Sequence, residues 1–311
     1  MKQKYAIGAD IGGSHITSAA VDLISGKVLK NTLSERRVNN QAQAYEIINV
    51  WSDCLSDVIR HVGFDDLRGI GFAMPGPFDY VNGISYIKGV SKYEKLYGFN
   101  IADAIVSSIG APDSFEIRFI NDASAFAVGE AWAGKAKGYH KSMCITIGTG
   151  LGSAFIEDGI PIVDGPDVPR IGCVYHLPYG DSIADDYFST RWFLKSYKEL
   201  SGKEIEGVKE LAKLAENDPA VKNLFIKFGN DLAAFLAPWL KKFGAEVLVV
   251  GGNIANAFNL FGNVFTEKLK KEEWNGDVKL SELKEDAALL GSAYLFNDHF
   301  WKAVQHALPL M

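Results

Sequence analysis

Apolar runs from Tyr5 to Ile11 and from Ile16 to Leu23, separated by Gly12-Gly13, predict two strands joined by a glycine turn. A third strand is predicted from Lys27 to Leu33 after Ser25-Gly26, which completes an antiparallel meander. Ile47, Ile48, Trp51, Leu55, Val58 and Ile59 recur at helical spacing and predict a helix from Gln41 to His61. A buried strand, Leu67 to Met74, is stopped by Pro75-Gly76-Pro77. A helix (Ile101 to Ile109), a strand (Phe115 to Ile120) and a helix (Ala123 to Trp132) follow. The pattern then restarts: Ser142 to Ile147, the turn Gly148-Thr149-Gly150, and Leu151 to Ile156 repeat the opening strand, glycine turn and strand. The stretch from Gly165 to Asp186 is irregular, and helices reach to Phe243. A strand core, Glu246 to Val250, enters Gly251-Gly252-Asn253, and a closing helix is predicted from Asp286 to Asn297. A meander followed by alternating helices and strands, given twice, predicts a duplicated α/β fold with a mixed sheet in each half and a cleft between them.

Composition narrows the function. With 311 residues, 48% of them hydrophobic, the chain can bury two cores. We place the N-terminal lobe at residues 1–120, joined by the C-terminal helix at about 290–311, and the C-terminal lobe at 121–289. A net charge of −6 with no run of about five like charges gives none of the basic footprint that nucleic acid requires. No apolar run reaches the ~18 residues a spanning helix needs, so no membrane partner is expected. Cys54, Cys144 and Cys173 lack CxxC spacing, and the N-terminus leads directly into a strand. A reducing cytoplasm fits.

Glycine turns between strands let backbone N–H groups approach an anion closely, because no Cβ intervenes. Ser14 and Thr149 each add a hydroxyl donor. Asp10 falls on the same strand face as Gly12, where it could hold Mg²⁺ near the β- and γ-phosphates. Taken singly, Asp10-Ile11-Gly12-Gly13 is equally a hairpin turn. The second turn at Gly148 favours phosphate binding, with Gly252 and Asn253 as an adenosine seat. These positions make ATP the expected nucleotide.

Five blocks in order carry a family resemblance. They are Ile7-Gly8-Ala9-Asp10-Ile11-Gly12-Gly13-Ser14, Ile70-Gly71-Phe72-Ala73-Met74-Pro75-Gly76-Pro77, Asn121-Asp122-Ala123-Ser124-Ala125 with Gly129-Glu130, the turn at Gly148, and Val249 to Asn253 with Leu290-Gly291-Ser292-Ala293. Together they resemble the ROK family of sugar kinases and related repressors. The resemblance implies a ribonuclease-H-like, actin-like ATPase fold, a homodimer, and transfer of the γ-phosphate of ATP to a sugar hydroxyl. It also implies that Asp122 is the general base, with Gly76 and Asn121 beside the sugar. Asn121-Asp122 lies between a strand and a helix, so helix capping is an equal reading of the residues alone.

The sugar side departs from the family. Where relatives carry Glu-x-Gly-His this chain has Arg170-Ile171-Gly172-Cys173, and the cysteine cluster that holds a structural zinc is replaced by Tyr179 to Ala184. The zinc is therefore expected to be absent. Asp185 fits the slot of a further sugar-binding Glu, and equally reads as an acid in the first turn of a helix. The loop Ile87-Lys88-Gly89-Val90-Ser91-Lys92-Tyr93 differs from the usual Pro-Asn-aromatic. Arg170 with Lys88 and Lys92 could suit an anionic sugar, and a solvated basic loop is the plain alternative. The first glycine turn comes at Gly12, leaving no room for the helix-turn-helix of the repressor relatives. A non-catalytic sugar-binding sensor is the alternative to a kinase.

Overall fold

The structure, a computed structural model, describes residues 3–89, 92–112 and 114–311. Val90 and Ser91 of the loop named above lie outside the described residues. The first run of elements is β1 (Tyr5–Ile11), β2 (His15–Asp22), β3 (Lys27–Val28), β4 (Ser34–Arg37), α1 (Ala44–Val62), β5 (Leu67–Met74), β6 (Phe78–Asp79), β7 (Ile84–Ser85), α2 (Ile101–Ile109), β8 (Glu116–Asn121) and α3 (Asp122–Ala133). There follow β9 (Lys141–Ile147), β10 (Leu151–Glu157), β11 (Ile160–Ile162), β12 (Pro178–Tyr179), β13 (Ser182–Ile183), α4 (Ala184–Tyr187), α5 (Thr190–Ser201), α6 (Val208–Ala215) and α7 (Pro219–Phe243). The chain closes with β14 (Val247–Gly251), α8 (Phe258–Lys271), β15 (Asp277–Leu280), α9 (Asp286–Ala293) and α10 (Asp298–Val304).

Two compact units divide the chain. One runs from the N-terminus to Lys137 and takes Gly159–Pro161 and Glu285–Met311; the other is Gly138–Asp158 with Ile162–Lys284. In the first unit β2 and β1 are antiparallel, and β5 and β8 extend the sheet in parallel. In the second, β10 and β9 are antiparallel, and β14 and β15 again extend it in parallel. The repeat of one strand plan in both units is the duplication that the two glycine turns predict. Among the described residues no helix is long and apolar enough to cross a membrane.

Two predicted elements are divided. The strand expected from Lys27 to Leu33 is only β3, followed by a 3₁₀ turn at Lys30–Thr32 and then β4. The reason is Thr32, whose buried hydroxyl accepts the Ala20 N–H at 2.9 Å and donates to Leu29 O at 2.7 Å. That side chain replaces a ladder bond, so β2 pairs with β3 at one end and with β4 at the other. The closing helix also breaks: α9 ends at Ala293 and a 3₁₀ turn spans Tyr294–Phe296. Asn297, in extended conformation, then caps α10 by accepting from His299 N and Phe300 N.

In the first unit the interior is held at unusually short range. A Cβ added at Gly8 of β1 would lie 2.0 Å from Leu289 O, and one at Gly71 of β5 would lie 1.9 Å from Ser292 O. Likewise Gly129 of α3 faces Ala287 O at 1.9 Å, and Gly291 of α9 faces Ala125 O at 1.8 Å. Helix α9 thus lies backbone against backbone on two strands and on α3, which no residue with a side chain allows. The second unit is built differently, on a cluster of buried rings that includes Phe188, Phe193, Phe225, Phe228, Phe261 and Phe265. That cluster seats α5, α7 and α8 against each other.

Gly291→Ala overpacks the α3–α9 contact and is expected to destabilise by about 1–3 kcal/mol or more, read as a lower melting temperature. Gly13→Ala, where nothing lies within 4 Å of the added Cβ, leaves the melting temperature unchanged. Equal melting temperatures for the two variants would contradict the packing argument.

Candidate functional site

In the first unit, strand register gathers the candidate residues. Asp10 pairs with Ala73, Ala73 with Ile120 and Met74 with Asn121, so the ends of β1, β5 and β8 lie side by side. The carboxyl ends of parallel strands are where open α/β sheets bind ligands. Asn121 caps α3, its side-chain oxygen accepting from Ser124 N at 3.2 Å. Capping therefore falls to Asn121, and Asp122 is the first helical residue. The Asn121 amide nitrogen donates to Tyr80 Oη at 3.3 Å and to Asp122 Oδ1 at 3.0 Å. Tyr80 in turn donates to Met74 O at 3.1 Å, and Gly76 lies under the same hydroxyl, where a Cβ would come within 3.3 Å. Gly76, Asn121 and Asp122 are thus joined through Tyr80, a link that no sequence pattern announced.

Asp122 Oδ1 also accepts the Ala123 N–H at 2.8 Å. Burial pushes the Asp122 carboxyl above the ordinary carboxylate range, against the lowering effects of the Ala123 N–H and the Lys92 ammonium. The ordinary value of about 4 expected from residue type therefore does not apply. Burial pushes Asp10 up to about 7, with the charges of Asp122 and Glu285 adding to the shift. A carboxyl whose ionisation is opposed by burial and by neighbouring carboxylates is a hard-oxygen donor that a divalent cation would neutralise. Among the described residues no three His, Cys, Asp or Glu side chains gather closely enough to hold a metal by themselves. A Mg²⁺ ion fits such a site because it retains waters and takes phosphate oxygens beside one or two carboxylates.

The first glycine turn has a polar asymmetry. The Gly12 carbonyl accepts the Tyr93 hydroxyl at 2.7 Å, and the Gly13 carbonyl accepts the Asn40 side-chain amide. Tyr93 is fully buried, stands edge-on to Trp51 and donates its N–H to Asn40 O at 2.8 Å. Meanwhile the N–H groups of Gly13 and Ser14, both exposed, find no acceptor among the described residues. Carbonyls held and amides open make an electropositive turn.

The second unit repeats this with other residues. The Gly148 carbonyl accepts from Thr190 N at 2.8 Å and Thr190 Oγ1 at 2.9 Å, and the Thr149 carbonyl accepts from Arg191 at 2.8 Å. The N–H groups of Thr149 and Gly150 have no acceptor among the described residues. The third turn packs on the second: a Cβ at Gly252, whose φ is +84°, would lie 2.5 Å from Ile147 O, and one at Gly148 would lie 3.9 Å from Asn253 N. Gly148, Thr149, Gly150, Gly252 and Asn253 therefore form one local group.

Arg170 opens a 3₁₀ turn, is exposed, and makes no ion pair among the described residues. Ile171 beside it has φ 60°, a left-handed conformation that costs a β-branched residue on the order of 1–3 kcal/mol. Cys173 Sγ lies 3.8 Å from His176 Nδ1, and burial together with the Arg170 charge lowers the His176 pKa. Asp185 is occupied within its own unit, by Leu151 N at 2.6 Å and Arg191 at 2.5 Å. Asn40, Thr190, Arg191 and Glu285 escaped sequence reasoning because nothing in their local pattern marks them; Tyr93 was visible only as an aromatic in a loop.

Comparison with known proteins adds the following. The model of the ROK family matches residues 6–299. A glucokinase from Thermotoga maritima is 24% identical over 96% of this chain and 99% of its own length. Among solved structures, a ROK family glucokinase from Streptomyces griseus, in complex with glucose and AMPPNP, matches with a TM-score of 0.74 and 21% identity over 94% of this chain and 98% of that one. A ROK family transcriptional regulator matches with a TM-score of 0.78 and 15% identity over 98% of this chain and 81% of that one. These likenesses carry the ribonuclease-H-like, actin-like ATPase fold.

Asp10 supplies a pH test in metal-free protein. An acid whose folded pKa is raised contributes stability that is present below its unfolded pKa and lost as pH rises through its folded one. The advantage of Asp10→Asn over wild type, read by thermal denaturation in chelator, should grow from about pH 4 to about pH 7 and level off above. Parallel pH curves for the two proteins would refute the assigned shift.

Proposed function

This chain belongs to the ROK family, and on that premise we propose that it is an ATP-dependent sugar kinase, transferring the γ-phosphate to a hydroxyl of a hexose or amino-hexose with Asp122 as general base. The observation that carries this reading is the shared polarity of the two glycine turns: the carbonyls of Gly12, Gly13, Gly148 and Thr149 are held by protein donors, and the amides of Gly13, Ser14, Thr149 and Gly150 are open, while the first amide of each turn (Gly12, Gly148) closes the turn. An array of open N–H groups suits the oxygens of a triphosphate. In this reading Gly12, Gly13 and Ser14, and Gly148, Thr149 and Gly150, bind phosphates, and Gly252 and Asn253 seat the adenosine.

Asp122 is suited to take a proton. Its Oδ1 is engaged by Asn121 and Ala123, which leaves Oδ2 for a substrate hydroxyl. A carboxylate raised above its ordinary range is also a stronger base than an exposed one. Asp10 would hold Mg²⁺ with water and phosphate oxygens, and the ion would supply charge neutralisation on the transferring phosphoryl group. Phosphoryl transfer depends chiefly on positioning and electrostatics, which these groups provide. Gly76, Asn121 and Arg170 are the sugar-facing residues of the proposal; Asp185 holds the remaining sugar position of the resemblance, although its oxygens are engaged by Leu151 and Arg191. A homodimer and a cytoplasmic location belong to the same proposal.

The altered positions Arg170 and Cys173 favour the alternative, a non-catalytic sugar-binding sensor or regulator of the same family. Coupled ADP release over a panel of neutral hexoses, N-acetylhexosamines and sugar acids separates the two. A kinase releases ADP with at least one sugar, and a sensor with none. In the active case Asp122→Ala lowers kcat by about 10² to 10⁴, the usual loss for a general base, with ATP affinity retained. Unchanged turnover would remove Asp122 from the mechanism.

A further inference from the structure

The segment from Asp185 to Arg191 wraps the second glycine turn from its carbonyl side. Asp185 Oδ1 accepts the Leu151 N–H at 2.6 Å, at the residue where the turn becomes β10. The same oxygen sits under Gly150, where an added Cβ would come within 2.7 Å. Its other oxygen pairs with Arg191 at 2.5 Å, and that guanidinium also donates to the Asp185 carbonyl at 3.3 Å and to Thr149 O at 2.8 Å. Thr190 completes the set with two donors to Gly148 O. Within the turn, then, each carbonyl from Gly148 to Gly150 has a donor: Thr190, Arg191 and, for Gly150, the Gly148 N–H at 3.0 Å.

The backbone beneath this segment is itself fixed. Asp185 N donates to Tyr175 O and Ala184 N to Leu177 O, while Phe188 and Phe193 on either side of Ser189 are buried in the aromatic cluster. A side chain mounted on so rigid a base can define where the turn's peptide planes face. Because the N–H and C=O of one peptide plane point in opposite directions, holding the Gly148 and Thr149 carbonyls outward aims the Thr149 and Gly150 N–H groups the other way.

We propose that Asp185 and Arg191 are positioning residues for the second phosphate turn, forming a carboxylate–guanidinium brace that orients its amides toward the nucleotide, and that Asp185 serves the phosphate turn rather than the sugar. The proposal rests on the ATP-binding reading above. Arginine is the residue type suited to this, since its planar fork can meet a carboxylate and a carbonyl at once, which a lysine ammonium on a flexible stem does less well. The pair is partly exposed, so its worth lies in fixing geometry more than in stabilising the fold.

The test is calorimetric and kinetic, on the full chain. Wild type, Arg191→Met, Arg191→Lys and Asp185→Asn are titrated with Mg²⁺-ATP, and KM for ATP and for the sugar are measured separately. Loss of a charged hydrogen-bonding brace should weaken ATP binding roughly 10-fold for Arg191→Met. Arg191→Lys and Asp185→Asn should weaken it in the same direction, and the Asp185→Asn/Arg191→Met double variant should lose no more than the larger single change. In all variants the KM for sugar should stay within about two-fold, a split that general destabilisation does not produce. Asp185→Asn raising the sugar KM while ATP affinity holds would overturn the proposal and return Asp185 to the sugar. Unchanged ATP affinity in every variant would overturn it too, and leave the kinase reading standing. Wild type that fails to bind ATP would overturn both. Should Arg191→Met not fold, Arg191→Lys, which keeps the charge and most of the stem, gives the same comparison.

Discussion

Helix α9 lies against β1, β5 and α3 at distances that only glycine permits, with four prospective Cβ positions falling within 2.0 Å of a carbonyl oxygen. Everything in the first unit that could do chemistry stands on this contact. Asp10 is near the end of β1, the Pro-Gly-Pro turn follows β5, and Asp122 opens α3. Close packing of rigid elements, rather than any direct link between the side chains, sets where the two carboxylates lie. Partial burial of the two carboxylates raises both, and for Asp10 the charges of Asp122 and Glu285 add to it.

The glycine turns solve a different problem, that of closing with one internal bond, from Gly12 to His15 and from Gly148 to Gly150, while leaving the next two amides unpaired. In both units the solution is to hold the carbonyls. Tyr93 and Asn40 do it in one, and Thr190 and Arg191 in the other. A duplicated fold has therefore kept the polarity of its turns while using unrelated side chains from unrelated elements. What the two halves share is the direction of a peptide plane, a feature of geometry with no counterpart in residue identity.

Departures from the family pattern also read differently once contacts are known. Arg170, in place of an acid, stands exposed in a strained turn beside Ile171, whereas Asp185 is held by a backbone amide and a guanidinium. Two substitutions in one loop region have thus had opposite outcomes. One charge is left accessible, and the other is absorbed into the frame of the second glycine turn.

The sequence by itself determined the α/β class, the duplicated strand, turn and strand plan, and the family, because these depend on periodicity and on ordered short motifs that survive without knowledge of contacts. It located the glycine turns and the Asn121-Asp122 pair at element junctions for the same reason. It could not decide that Asn121 is the cap and Asp122 the first helical residue, since both residue types cap well. Nor could it foresee the break at Thr32, where one hydroxyl replaces a ladder bond, or the break at Asn297. The shift of Asp10, the hydroxyl of Tyr93 on Gly12 and the grip of Arg191 on Thr149 were decided only by tertiary structure. Each joins residues between 42 and 275 positions apart, and desolvation and hydrogen-bond direction arise from such neighbours, which no local pattern encodes.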